Sequence, residues 1–406
     1  MNKVNKRKIS DLVLVIITYL SSLIAVLILG AIMFFIFNNG LELLSFDLIT
    51  KDYHSKPYQL NLVDEVNTNN FVDPNIDDAY FSNRFGFAVK DDLSLEGLKV
   101  IRFIYVDENS PLLETVNVLG EKEPLLEGYV FDSTLEVTFS DSSSQIVFSR
   151  SGAKSFVETV NDAVMINNIV VKEEGGGIRG SIITTFYLII ITLIIALPLG
   201  ILTAVYLHEI APKNKVTNIL RSLIDMLTGV PSIIFGLMGA ALFIPFTSIL
   251  FNNNDMKRGS LIAGALTLVV IVLPVIIKST ETALDVVPKG YKEASLALGA
   301  TKTQTTFKVM LPNALPGILS AAILSIGRII GESAALIFAM GTFIGDSVSI
   351  TGRSTSLAVH IWSVMGGEIP NIKLASSIAI IILIVVLSLN MLVKLLTSFH
   401  LKKVGR

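Results

Sequence analysis

The sequence predicts an all-α polytopic membrane protein of six transmembrane helices, interrupted by a small inserted α+β domain. Three observations predict it. Of 406 residues, 51% are hydrophobic and only 16% charged, and the mean hydropathy is +0.66. Soluble domains carry about 25% charged residues, so water is not the main solvent of this chain. Six runs have the length and apolar character a spanning helix needs, ~20 residues at about 1.5 Å each. A single long acidic segment follows the first run.

The first run, residues 12–37, holds 26 residues without Asp, Glu, Lys or Arg. It is too long for a signal-peptide core and no small-residue cleavage site follows, so it is expected to stay attached. The second lies between Arg179 and Glu209, the third between Asp225 and Asp255, and the fourth covers 261–277. The fifth, about 315–340, contains Arg328 and Glu332; the sixth is roughly 375–393. Pro198, Pro231, Pro245, Pro274 and Pro316 fall in these spans. Singly they read as kinks tolerated by neighbouring helices, and as a group they fit a bent translocation route.

Lys and Arg near the spans set orientation. Lys3, Lys6, Arg7 and Lys8 precede the first, and Lys394, Lys402, Lys403 and Arg406 stand at or after the last. Lys213, Lys215 and Arg221 lie between spans two and three; Lys278, Lys289, Lys292, Lys302 and Lys308 lie between four and five. An even number of spans puts all these clusters on one side, which predicts that both termini are cytoplasmic in a multi-pass membrane protein. Residues 41–177, then outside, hold 24 Asp and Glu against 10 Lys and Arg, and the remainder 10 against 22. The formal charge of -2 therefore conceals -14 outside and +12 elsewhere. The small total excludes a uniformly basic nucleic-acid binder. An acidic outer domain also resists adhesion to anionic lipid.

Within that segment, 98–106 is β-branched and aromatic, and 135–140 with 145–150 around Asp141-Ser142-Ser143-Ser144 reads as a β-hairpin. A helix is expected over 155–164. No catalytic constellation is visible, so 41–174 reads as an accessory docking or capping domain between the first span (1–40) and a core of 175–406. The chain has no cysteine, which excludes a disulfide scaffold and thiolate metal sites. Its histidines (His54, His208, His360, His400) show no ligand spacing.

The loop 278–312 carries the most specific pattern. Pro288 suits a helix start and Gly299 a left-handed stop. Thr301 with Gln304 has the form of a capping box opening a second short helix. The two helices form an elbow whose apolar side, Leu296, Leu298, Phe307 and Val309, needs a partner. The run Glu293-Ala294-Ser295, Gly299, then Val309-Met310-Leu311-Pro312 resembles the EAA motif of ABC-transporter permeases (EAA, three residues, Gly, nine residues, I-x-L-P). Ser295 stands for the second Ala and Val309 for the Ile. Further stretches are similar to phosphate-importer permeases: Gly175-Gly176-Gly177-Ile178, Ala196-Leu197-Pro198-Leu199-Gly200, His208-Glu209-Ile210-Ala211-Pro212, the run 229–237, and 327–335. The last resembles G-R-x-x-G-E-T-A-P, with Ser333 for Thr and Ala335 for Pro. The glycine triplet and Leu336-Ile337-Phe338 are more similar to the PstA type than to its PstC-type partner. The triplet by itself reads as a flexible linker.

The resemblance implies a type I ABC importer permease core, with 293–298 as the coupling helix on a separate ATPase and Glu293, Ala294, Ser295, Gly299, Leu311 and Pro312 as the coupling set. It also implies a PstC-like second permease, an ATPase dimer and an extracytoplasmic phosphate-binding protein as partners. The chain has no G-x-x-x-x-G-K-[ST] run, so ATP and Mg are expected on the ATPase and no cofactor or metal on this chain. Catalytic residues are expected to be none.

Arg328 and Glu332, four apart, share a helix face and are able to pair. A charge at that depth costs at least about 2.5–3.5 kcal/mol and needs a partner, cavity or water. One reading is an ion pair holding the bundle. In the other, Arg328 offers its planar fork to a phosphate oxyanion, with Glu332 and Ser333 beside it as path residues. Competing functions are a permease for molybdate, sulfate or phosphonate, the PstC-like partner, an ion-driven transporter, and a membrane sensor. The ion-driven transporter would need charges on several spans, and the sensor an output domain.

Overall fold

The computed structural model describes residues 3–62, 64–66, 71–94, 99–367 and 370–403. Leu98 and Arg406, both used in the sequence-based expectations, lie outside the described residues. The chain divides into two compact units, Met1–Leu44 with Gly180–Arg406, and Ser45–Arg179.

The second unit is built on a seven-stranded antiparallel sheet. Its strands are β1 (Lys56–Leu60), β2 (Tyr80–Ser82), β3 (Phe87–Leu93), β4 (Lys99–Val106), β5 (Val130–Phe139), β6 (Ser144–Phe148) and β7 (Ala163–Glu173). They run β1-β7-β5-β4-β3-β2, with β6 also on β5. The predicted hairpin is β5–β6, in register Leu135↔Val147. Ahead of the sheet lies a short helix, α2 (Phe46–Thr50). The expected helix is α3 (Gly152–Asp162). It ends before the predicted Val164 because Ala163 already pairs with Phe139 of β5. Ala153, Phe156, Val157 and Val160 fall on one face of α3 and are buried. The Phe156 ring lies 4.8 Å from Phe131 and 6.1 Å from Phe87 and from Phe103.

The glycine triplet is not a flexible linker. Gly176 N–H donates to Tyr53 O at 2.8 Å and Gly177 N–H to Asp52 O at 3.0 Å. A Cβ on Gly175 would stand 2.3 Å from Tyr53 O, and one on Gly177 2.1 Å from Lys51 O. Two backbones approach here as closely as only glycine permits.

In the other unit, six helices among the described residues are long and apolar enough to cross a membrane. They are Asp11–Gly40, Arg179–Ile210, Ser232–Leu250, Leu261–Asp285, Lys302–Gly331 and Ile372–Leu395. The first lies in α1 (Lys3–Gly40) and the second is α4 (Arg179–Val205) with a π-helical turn, Tyr206–Ile210. α5 (Lys215–Leu227) precedes the third, which joins α6 (Ser232–Met238) to α7 (Ile244–Leu250) through a π turn. The fourth is α8 (Leu261–Asp285). Pro198, Pro274 and Pro316 sit inside helices, whereas Pro231 caps α6 and Pro245 falls in the first turn of α7. At Pro231 the missing N–H removes no helix bond, whereas Pro245 follows the π turn inside the continuous third span and leaves a carbonyl of that turn without its helical donor. Leu188, Leu268, Val272, Ile276, Ile330 and Leu336 form the centre of the bundle core.

The fifth span departs from the expected 315–340. After α9 (Lys289–Ala297), α10 (Lys302–Thr305) runs through a π turn into α11 (Leu311–Gly331) as one helical rod. The helix breaks at Glu332 (φ -78°, ψ 120°), and α12 (Ala334–Met340) starts afresh. The segment 341–356 is non-helical and leads to α13 (Leu357–Met365) and α14 (Ile372–Lys403). Buried hydroxyls pin it and the start of α13 to α4: Thr184 bonds Ser354, Thr185 Oγ1 accepts from Leu357 N at 2.9 Å, and Ser181 Oγ lies 2.8 Å from His360 Nδ1.

Candidate functional site

The elbow forms for the local reasons its sequence carries. Pro288 caps α9, Gly299 takes φ +88°, and Thr301 and Gln304 make a complete capping box at 3.2 and 3.0 Å. The six predicted coupling residues do not share one surface. Glu293, Ala294, Gly299 and Pro312 are exposed, and Leu298 beside them is 90% exposed. Ser295 turns inward, its Oγ 2.9 Å from Thr305 Oγ1, so a hydroxyl at this position links α9 to the start of the fifth span. Leu311 is half-buried against Val205, Leu284, Val287, Met310, Ala314 and Ile318. The outward group is exposed, and the inward pair seats the elbow on the bundle.

Arg328, Glu332 and Ser333 are all half-buried. The expected Arg328–Glu332 pairing on one helix face is not formed. The helix ends at Gly331, and Glu332 Oε1 instead accepts the Ala335 N–H at 3.2 Å, capping α12. A carboxylate suits that helix start because it faces N–H groups without helical partners. On α11, Ser320 and Leu324 are exposed, and a Cβ at Gly327 or Gly331 would meet nothing within 4 Å. These positions are spaced four, three and four apart and form one uncovered face alongside Arg328. A cavity of about 460 Å³ opens at the elbow end of that face, between α8 and α11, lined by Thr282, Val286, Asn313, Ser320 and Leu324.

A polar cluster that sequence reasoning did not assemble ties the elbow to the ends of spans two and four. Lys292 of α9 donates to Glu209 Oε2 at 2.5 Å, and His208 lies between Glu209 Oε1 (3.0 Å) and Asp285 Oδ1 (2.9 Å). Arg221 of α5 donates to Leu207 O at 2.8 Å and pairs with Glu281 at 3.1 Å. The His208-Glu209 dipeptide is visible in sequence, but its partner stands 83 residues away. Among the described residues no group of His, Asp and Glu is disposed to hold a metal ion.

A family model described as the binding-protein-dependent transport system inner membrane component matches residues 196–406. The probable ABC transporter permease protein YqgI of Bacillus subtilis (strain 168) is 38% identical over 244 residues, 56% of this chain and 80% of that protein. The phosphate transport system permease protein PstA of Pasteurella multocida (strain Pm70) is 31% identical over 189 residues, 47% of this chain and 64% of that protein. Among solved structures, a chain of the inward-facing MetNI methionine ABC transporter aligns with a TM-score of 0.41 at 26% identity, over 57% of this chain and 95% of that one.

Proposed function

The chain belongs to the family of binding-protein-dependent transport system inner membrane components, and from that premise we propose that it is the PstA-type permease subunit of an ATP-driven inorganic phosphate importer. The observation that carries this reading is the elbow, which holds Glu293 and Ala294 outward on a short capped helix at the EAA spacing. In this reading α9 seats on a separate ATPase subunit. ATP and Mg belong to that ATPase, so this chain needs no cofactor, metal or catalytic residue of its own. The basic loops and both termini face the cytoplasm. Residues 41–174 form the acidic external domain, which docks the binding protein or caps the path. Residues 175–406 form the permease core.

The uncovered face of α11 supports a path shared with a second, PstC-like permease. Arg328 lies beside that face and presents donors that a phosphate oxyanion accepts bidentately. Glu332, held at the cap of α12, keeps a negative charge nearby and limits trapping of the anion. Ser333 adds a hydroxyl at the helix break. Phosphate rather than another oxyanion is favoured by the similarity to a PstA protein.

Uptake of labelled phosphate by the reconstituted complex, in competition with sulfate, molybdate and phosphonate, tests the substrate. Phosphate alone is expected to compete. Arg328→Ala is expected to lower uptake by about tenfold or more, the worth of a charge-assisted hydrogen bond. Full uptake by that variant in a normally assembled complex would remove Arg328 from the path.

A further inference from the structure

Glu209 lies outside the coupling set, yet its surroundings are those of a built joint. It ends the second span within the π-helical turn Tyr206–Ile210, a widening that recurs where helices serve function. Its side chain is 3% exposed and faces Lys292 Nζ on one oxygen and His208 Nδ1 on the other. His208 carries the link on to Asp285, the last residue of α8. Lys292 immediately precedes Glu293, and no residue of α9 is fully buried. Apart from the apolar cluster in which Val205 meets Met310 and Leu311, α9 itself has little packing to fix it on the second span, and a point contact between charges does so instead. A carboxylate shut away from water holds its counter-ion firmly, because separating them leaves a charge buried and unpaired.

On the reading that α9 seats on an ATPase, we propose that Glu209 is a positioning residue for coupling. Through Lys292 and His208 it ties the elbow to the ends of spans two and four. A displacement of α9 then moves the second span together with the fourth and the fifth, both joined to the elbow by the chain itself and the fifth also by Ser295–Thr305. Without the tie, the ATPase would move the elbow with the fourth and fifth spans while span two lags.

The test uses the assembled complex in proteoliposomes, measuring phosphate moved per ATP hydrolysed. Glu209→Gln and Lys292→Met are each expected to lower that ratio about tenfold, with hydrolysis continuing and the ATPase still bound. The double variant should be no worse than either single, and Glu209→Asp should recover most of the loss. The chain has no cysteine, so spin labels placed at exposed Lys213 and Lys289 report the elbow's attachment directly. Their distance distribution should broaden in Glu209→Gln. A parental ratio and an unchanged distribution would overturn the proposal. So would uptake and hydrolysis falling in equal proportion with loss of intact complex. If phosphate is the wrong substrate, the unaltered complex moves none of it. The label distances still decide the joint in that case, a broadened distribution supporting it and an unchanged one overturning it.

Discussion

The two units expose opposite kinds of side chain, and what they enclose differs as well. In the sheet unit the bulkiest fully enclosed residues are aromatic, among them Phe85, Phe87, Phe103, Phe131 and Phe156, while charges cover the outside. In the helical unit Ser181, Thr184, Thr192, Thr267, Ser325 and Ser377 are enclosed among the aliphatic residues of the bundle core, while α1 and much of α5 and α14 expose Leu, Ile and Val. The first pattern is what water enforces, since apolar burial drives that fold. The second is what lipid permits, since tails are as apolar as leucine and helices associate through close packing and hydroxyl bonds. One chain therefore holds together by two different means.

Aromatic truncation is the strongest way to sharpen that contrast. Phe156→Ala removes the ring on which Phe87, Phe103 and Phe131 converge, and is expected to cost about 4 kcal/mol in chemical denaturation of the full chain. The same truncation at Phe34, 73% exposed on α1, should change stability by less than about 0.5 kcal/mol. A large loss at Phe34 would break the comparison.

Close packing in the bundle is tested by adding a methyl rather than removing one. A Cβ on Gly180 would stand 2.0 Å from Gly345 O, so Gly180→Ala must push the 341–356 segment off α4. A loss of about 2 kcal/mol in thermal unfolding in detergent is expected. An unchanged midpoint would show that small residues are not what seats this segment.

The smallest effect concerns charge in the sheet unit. Arg102 lies 2.8 Å from both Asp92 and the buried Glu174. Burial alone would raise the Asp92 carboxyl, but the Arg102 hydrogen bond and the Leu93 N–H outweigh it and hold the group below the usual 3.8. A carboxyl lowered by folding contributes stability above its unfolded value, and that contribution fades as the pH falls through the folded value. Acidification below about pH 4 should therefore lower the melting midpoint of the parent more steeply than that of Asp92→Asn. Equal slopes would assign the acid sensitivity elsewhere.

Legibility followed the range of the interactions. The β5–β6 hairpin was readable because its turn and alternation are local. β7, which pairs along β5 and β1, was not, because its run of Val164, Ile166, Ile169 and Val171 declares no partner. The elbow was legible to the residue at Pro288, Gly299 and Thr301–Gln304. α5 was missed because its apolar stripe is short and interrupted by Arg221 and Asp225, which belong to ion pairs with α8.

By itself the sequence determined the solvent of each part, the number of spans and the coupling elbow. Hydropathy, caps and motif spacing act over a few residues, and each carries its own physical cause. Tertiary structure decided what those elements touch. It broke the fifth span at Glu332 and gave that carboxylate to α12 rather than to Arg328. It closed the glycine triplet onto residues 51–53, and it brought Lys292 to Glu209. Such pairings depend on which backbones meet in three dimensions, and the spacing of residues along the chain does not contain that information.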